Sequence, residues 1–192
     1  MRSSPPPSPM RQDKPLSHGV DLKALVRDVP DFPKKGILFK DLTPVWQDPA
    51  AFRAMVEQMA EPFRSARVEL IAGIESRGLI IGSALALELG TGLVPVRKEG
   101  KLPWKTVRAS YSLEYGEAVT ELHQDAFKPG ARVLIVDDLL ATGGTAQAAV
   151  QLVKELEGKI VGLAFLVELE FLQGRQKLEK LGVDLFSLIK YT

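Results

Sequence analysis

Four apolar residues, Val133-Leu134-Ile135-Val136, run without alternation into Asp137-Asp138-Leu139-Leu140 and then into Ala141-Thr142-Gly143-Gly144-Thr145. A strand that is apolar on both faces must be covered on both faces, as strands of parallel sheets are. The loop behind it leads into a segment whose Ala146, Ala149, Val150 and Val153 share one helical face. The same order of strand, polar loop and helix recurs in residues 70–89, where Leu70-Ile71-Ala72-Gly73 precedes a glycine-containing loop and the apolar stretch 79–89. Three further apolar runs, at residues 93–96, 160–167 and 183–188, read as strands, with a short helical stretch at 176–181. Alternating strands and helices of this kind give an α/β fold, a mainly parallel central sheet flanked by helices. There is no internal repeat.

The ends of the pattern are marked by their own chemistry. Asp48-Pro49 supplies a cap and a first-turn proline for a helix whose buried face is Phe52, Met55, Val56, Met59 and Phe63. Asp21 caps a shorter one carrying Leu22, Leu25 and Val26, which stops before Val29-Pro30. Residues 1–18 contain five prolines and are expected to be a disordered Pro/Ser-rich tail, because such a segment buries too little apolar surface to offset its ordering entropy. Residues 19–192 are expected to form a single domain, and the apolar content of 45% suits one core. A net charge of +1 gives no general attraction to nucleic acid or anionic lipid, and prolines stand where a signal peptide would be apolar. Without cysteine there is no disulfide, thiolate metal site or cysteine nucleophile, and a reducing cytoplasm is the simplest location. Neither nucleic acid nor a membrane is therefore an expected partner.

In open parallel sheets ligands bind beyond the carboxyl ends of the strands, which is where Asp137 and Asp138 fall. Adjacent carboxylates repel unless a metal or the hydroxyls of a sugar occupy their lone pairs. Gly143 and Gly144 let backbone N–H groups approach an anion, Thr142 and Thr145 add hydroxyls, and the following helix adds a positive N-terminus. Singly, such residues end a strand or make a capped turn; together, at this spacing, they describe a phosphate cradle beside a clamp for a diol. Other phosphate motifs fit worse. Gly144 is followed by Thr145 and Ala146, not by the lysine of G-x-x-x-x-G-K-S/T, and Gly90-Thr91-Gly92 meets Pro95 where a dinucleotide fingerprint needs glycine.

The run 133–145 resembles the phosphoribosyl-pyrophosphate binding motif of the type I phosphoribosyltransferases, and the chain from about residue 21 onward resembles the adenine-using members of that family. The likeness extends to Asp31-Phe32-Pro33-Lys34-Lys35-Gly36-Ile37-Leu38-Phe39-Lys40-Asp41-Leu42, to Glu75-Ser76-Arg77-Gly78 and to Arg97-Lys98-Glu99-Gly100-Lys101-Leu102-Pro103. It continues in Ala109-Ser110-Tyr111-Ser112-Leu113-Glu114-Tyr115-Gly116 and Leu166-Val167-Glu168-Leu169. It implies the type I fold with a small hood and a flexible catalytic loop, the latter within the long polar excursion 98–120.

The resemblance also implies roles. Asp137 and Asp138 would hold the ribose hydroxyls, and Ala141, Thr142, Gly143, Gly144 and Thr145 the 5-phosphate. Ser76, Arg77, Arg97, Lys98 and Lys101 would bind pyrophosphate, with a cis Glu75-Ser76 peptide. Leu38, Phe39, Lys40 and Leu169 would form the adenine pocket, through backbone groups at 38–40 and the face of Leu169. Lys40 stands where the family commonly has arginine, so a stacking role for its side chain is not carried over. Glu114, Tyr115 and Arg77 would be catalytic, with Glu114 taking the proton adenine loses. Magnesium, Mg2+, would be held mainly through substrate oxygens, with Asp137 and Asp138 as protein ligands. The implied enzyme is a pentosyltransferase joining adenine to phosphoribosyl pyrophosphate with release of AMP and pyrophosphate, and a homodimer. Two alternatives stay open: a regulator that binds the same sugar phosphate, and an enzyme using hypoxanthine, guanine or orotate. The Phe-Pro-x-x-Gly-Ile-x-Phe segment argues against other bases, and the proline-rich first 20 residues are a poor nucleic-acid module.

Overall fold

The computed structural model describes residues 19–113 and 116–192; the proline-rich tail, Glu114 and Tyr115 lie outside them. The chain begins with a one-turn helix α1 (Leu22–Leu25), capped by Asp21, whose carboxylate accepts from Ala24 N at 3.1 Å. A small hairpin follows, β1 (Arg27–Pro30) antiparallel to β2 (Leu38–Asp41), and then α2 (Thr43–Gln47). Helix α3 (Pro49–Ala60) starts on the expected cap, Asp48 accepting from Ala51 N at 2.8 Å, and buries Met55, Val56 and Met59.

The main sheet is built from β3 (Leu70–Ile74), α4 (Arg77–Leu89), β4 (Gly92–Lys98), β5 (Thr106–Leu113) and β6 (Gly116–His123). It is completed by β7 (Arg132–Leu140), α5 (Gly144–Glu155), β8 (Lys159–Leu169), α6 (Gly174–Glu179) and β9 (Leu185–Tyr191). Strand order is β5-β6-β4-β3-β7-β8-β9, with β4, β3, β7, β8 and β9 mutually parallel. Residue alternation splits the core in two: Leu134 and Val136 pack toward α3 and α4, whereas Val133 and Ile135 pack toward α5. The apolar faces predicted for α3 and α5 are the buried ones, Ala149 and Val153 being fully inaccessible. Among the described residues no helix is long and apolar enough to cross a membrane.

The polar excursion 98–120 is largely not a loop. Its outer part is the antiparallel pair β5–β6, in register from Thr106↔His123 to Leu113↔Gly116, which extends the sheet past β4. The signal was a period of two that polarity obscured: Val107, Ala109 and Tyr111 pack on the α5 side of the core, alternating with Arg108 and Ser110. Buried Glu121 fastens the remaining turn to this hairpin, accepting from Gly100 N at 3.0 Å and pairing with Arg108 Nε at 2.9 Å.

Candidate active site

The carboxyl ends of β3, β7 and β8 meet in one region, and each carries a predicted segment. At the end of β7, Asp138 N–H donates to Asp137 Oδ1 at 2.8 Å, so the two carboxylates are held side by side. Asp138 is 5% exposed. Burial and the adjacent Asp138 charge push the Asp137 carboxyl well above its ordinary range. Burial raises Asp138 as well, against the opposing pull of Arg77. Beyond them, residues 141–145 wrap a cavity of about 70 Å³ also lined by Asp137 and Leu140, at the N-terminus of α5. Gly143 adopts the left-handed conformation there, with φ of 77°.

Arg77 begins α4 at the end of β3, after a cis Glu75–Ser76 peptide. Its Nε lies 2.8 Å from Asp138 Oδ2, an ion pair without the alignment of a hydrogen bond, since that buried oxygen has no hydrogen-bond donor. The same guanidinium sits over the ring of Phe39, 4.9 Å from its centroid. One side chain thus joins the hairpin, the Ser-Arg-Gly loop and the acidic pair. The close fit depends on Gly78, where a Cβ would come within 2.7 Å of Asp137 Oδ1 and 2.8 Å of Val136 O.

Arg97 and Lys98 reach this region through Glu75, whose side chain had no role assigned from its place in the motif. Glu75 Oε2 accepts from Arg97 Nε at 3.1 Å and from Lys98 N at 3.0 Å, tying the basic turn to the residue before Ser76. Burial alone would raise the Glu75 carboxyl, but those two donors outweigh it and hold it below its ordinary value. Arg97 also donates to Lys101 O at 2.9 Å, while the Lys98 and Lys101 side chains are exposed.

Strand alternation sends Phe39 and Lys40 to opposite sides of β2. Phe39 meets Phe32 edge to face at 5.1 Å, and Leu38 is half exposed. The Lys40 ammonium is buried away from Arg77, 2.6 Å from Asp28 Oδ1 and 3.9 Å above the ring of Tyr191. Tyr191 is the register partner of Leu169, which ends β8, so Lys40 docks the hairpin beside Leu169. Glu114 and Tyr115, which follow β5 and precede β6 in the sequence, are outside the described residues.

An acidic pair at a parallel strand end, followed by a glycine loop and a helix N-terminus, defines a sugar-phosphate-handling protein, and the family model "Phosphoribosyl transferase domain" matches residues 47–191. An adenine phosphoribosyltransferase from Halothermothrix orenii is 52% identical over 171 residues, spanning 89% of this chain and 99% of its own. The chain belongs to the adenine phosphoribosyltransferase family. The crystal structure of the Thermoanaerobacter pseudethanolicus member superposes with a TM-score of 0.86 at 51% identity, over 88% of this chain and 98% of the other. The Trypanosoma brucei member, in complex with AMP, pyrophosphate and ribose-5-phosphate, gives 0.80 at 25% identity, over 88% and 77%.

Proposed function

We propose that this protein transfers the 5-phosphoribosyl group of phosphoribosyl pyrophosphate to adenine, releasing AMP and pyrophosphate, as a homodimer in a reducing cytoplasm. The observation that carries the reading is the Arg77 bridge, which joins three independently predicted segments within a few ångströms. In the reaction the C1–oxygen bond to pyrophosphate breaks, the N9–C1 bond of the nucleotide forms, and adenine loses its N9 proton. The sugar carbon is electron-poor at the transition state, and negative charge grows on the departing pyrophosphate.

Asp137 and Asp138 accept from the ribose hydroxyls, and residues 141–145 with the α5 N-terminus hold the 5-phosphate. Ser76, Arg77, Arg97, Lys98 and Lys101 take the pyrophosphate, Arg77 lying where charge accumulates. Backbone groups at 38–40 read the purine edge, and Leu169 packs on its face. Glu114 takes the N9 proton, with Tyr115 beside it, as the family resemblance suggests. Among the described residues no group of three acidic or histidine side chains could enclose a metal. The hard carboxylate oxygens of Asp137 and Asp138 suit Mg2+ bound mainly through substrate oxygens, where it would neutralise phosphate charge.

Incubating the protein with Mg2+, phosphoribosyl pyrophosphate and each of five bases tests the assignment. AMP is expected, with other mononucleotides formed at least about 100-fold more slowly, because a purine edge that leaves site donors unpaired is penalised. Formation of a different nucleotide as the main product would discard adenine as substrate; no product would favour a regulator.

For Lys40 this reading assigns no side-chain contact with the base. Lys40→Met retains the packed stem but loses both the ion pair with half-exposed Asp28 and the cation over Tyr191, together about 1 kcal/mol, and a melting temperature lower by roughly 2–4 °C is expected. The KM for adenine should stay within about three-fold; a ten-fold rise would place the ammonium in the base pocket.

A further inference from the structure

The phosphate loop leans on a short segment that the mechanism above does not use. After β8 the chain makes a 3-10 turn at Glu170–Leu172, passes through Gln173 at φ 55°, and starts α6 at Gly174. A Cβ on Gly174 would overlap Ala141 O and come within 3.0 Å of Gly143 N; one on Gly143 would come within 3.0 Å of Gly174 O. Two glycine backbones are therefore in direct contact, one in the loop and one at the start of α6. This contact is possible only while both residues lack side chains.

What holds α6 in that place is an ion pair with a buried carboxylate. Arg175 Nε donates to Glu168 Oε1 at 2.8 Å and its Nη2 donates to Oε2, a two-pronged contact with a carboxylate that is 2% exposed. The guanidinium also donates to Leu185 O at 3.3 Å, tying β9 to the same point. Glu168 faces Leu140 in the β7–β8 register, one residue before Ala141, and precedes Leu169. The anchor of α6 and the root of the phosphate loop are thus neighbouring residues on paired strands. The Arg175 and Glu179 contact at 4.0 Å adds only a surface pair.

We infer that Gly174 and Arg175 are positioning residues for the phosphate loop: Arg175 fixes α6 on Glu168, and the Gly174 backbone sets the path of residues 141–143. The inference rests on the reading of that loop as the 5-phosphate site. Its signature is selectivity, because a displaced phosphate loop weakens the sugar-phosphate end of the substrate and leaves the Ser76–Arg77 end alone.

Calorimetric binding of ribose 5-phosphate and, separately, of pyrophosphate, both with Mg2+, is the test, using the full chain and its Gly174→Ala, Arg175→Lys and Arg175→Met variants. Gly174→Ala is expected to weaken ribose 5-phosphate about ten-fold or more with pyrophosphate within two-fold, and to raise KM for phosphoribosyl pyrophosphate but not for adenine. Arg175→Lys keeps the charge but loses the fork, so it should fall between wild type and Arg175→Met in the same direction. Should Gly174→Ala fail to fold, the lysine variant alone decides the matter. Unchanged ribose 5-phosphate affinity in a folded variant, or an equal loss for both ligands, overturns the inference. A wild-type protein that binds no ribose 5-phosphate would instead overturn the function reading, and this inference with it.

Discussion

Arg77→Ala is expected to lower kcat/KM by about 1,000-fold, the scale on which a preorganised cationic or hydrogen-bonding group acts on developing negative charge. The expectation follows from three contacts that one guanidinium makes or is placed to make. It neutralises buried Asp138 at 2.8 Å, it covers the Phe39 ring, and it stays 30% exposed, open to the departing pyrophosphate proposed above. Alanine removes all three, and it leaves two adjacent carboxylates with no cation beside them. Arg77→Lys separates charge from shape: an ammonium can pair with Asp138 or lie over Phe39, but it lacks the plane that does both. A loss of about 100-fold is expected for lysine, between alanine and wild type. Steady-state kinetics with both substrates varied decides this. If alanine retained turnover within ten-fold of wild type, the bridge would be structural, and pyrophosphate would be handled by Arg97 and Lys98.

The same bridge shows why some of this site was legible in the sequence and some was not. Asp137, Asp138 and the glycine loop are consecutive, so their spacing alone placed them at a strand end before a helix. The parallel sheet was readable for a similar reason, since the unbroken apolar runs at 71–72, 133–136 and 163–167 leave no water-facing side. The β5–β6 hairpin was harder, because its apolar period of two is diluted by Arg108, Ser110, Thr120 and Glu121. Nothing local marks Glu75, Glu121 or Glu168 as anchors. Each is an ordinary glutamate until the fold brings a donor from elsewhere: Arg97 from the next strand, Gly100 from the turn after β4 and Arg108 from across a hairpin, Arg175 from the following helix. The Lys40 side chain was similarly undetermined, since its partners Asp28 and Tyr191 lie at opposite ends of the chain.

Asp137→Asn should remove activity while making the free protein more stable, and the two effects should separate with pH. In the unfolded chain Asp137 ionises near the ordinary aspartate value, whereas in the fold burial, and then the Asp138 charge, hold its carboxyl well above it. Between those two values the native state binds more protons than the unfolded state, so stability falls as pH rises through the native ionisation. Asparagine cannot ionise and escapes that loss, yet its side-chain oxygen can still accept the Asp138 N–H bond. The variant's melting temperature should therefore match wild type in acid and exceed it increasingly toward neutral pH, by roughly 2–4 °C for each kcal/mol gained. Activity should move the other way, since an amide offers a donor where a ribose hydroxyl must itself donate; a loss of at least about 100-fold is expected. Asp138→Asn provides the contrast, because it strips Arg77 of its counter-ion and should bring no comparable gain. Calorimetry from pH 5 to 8 alongside kinetics resolves the two effects. A melting temperature for Asp137→Asn that stays below wild type at neutral pH would mean the acidic pair is not under the repulsion inferred here, and that its cost is not one the sugar hydroxyls relieve on binding.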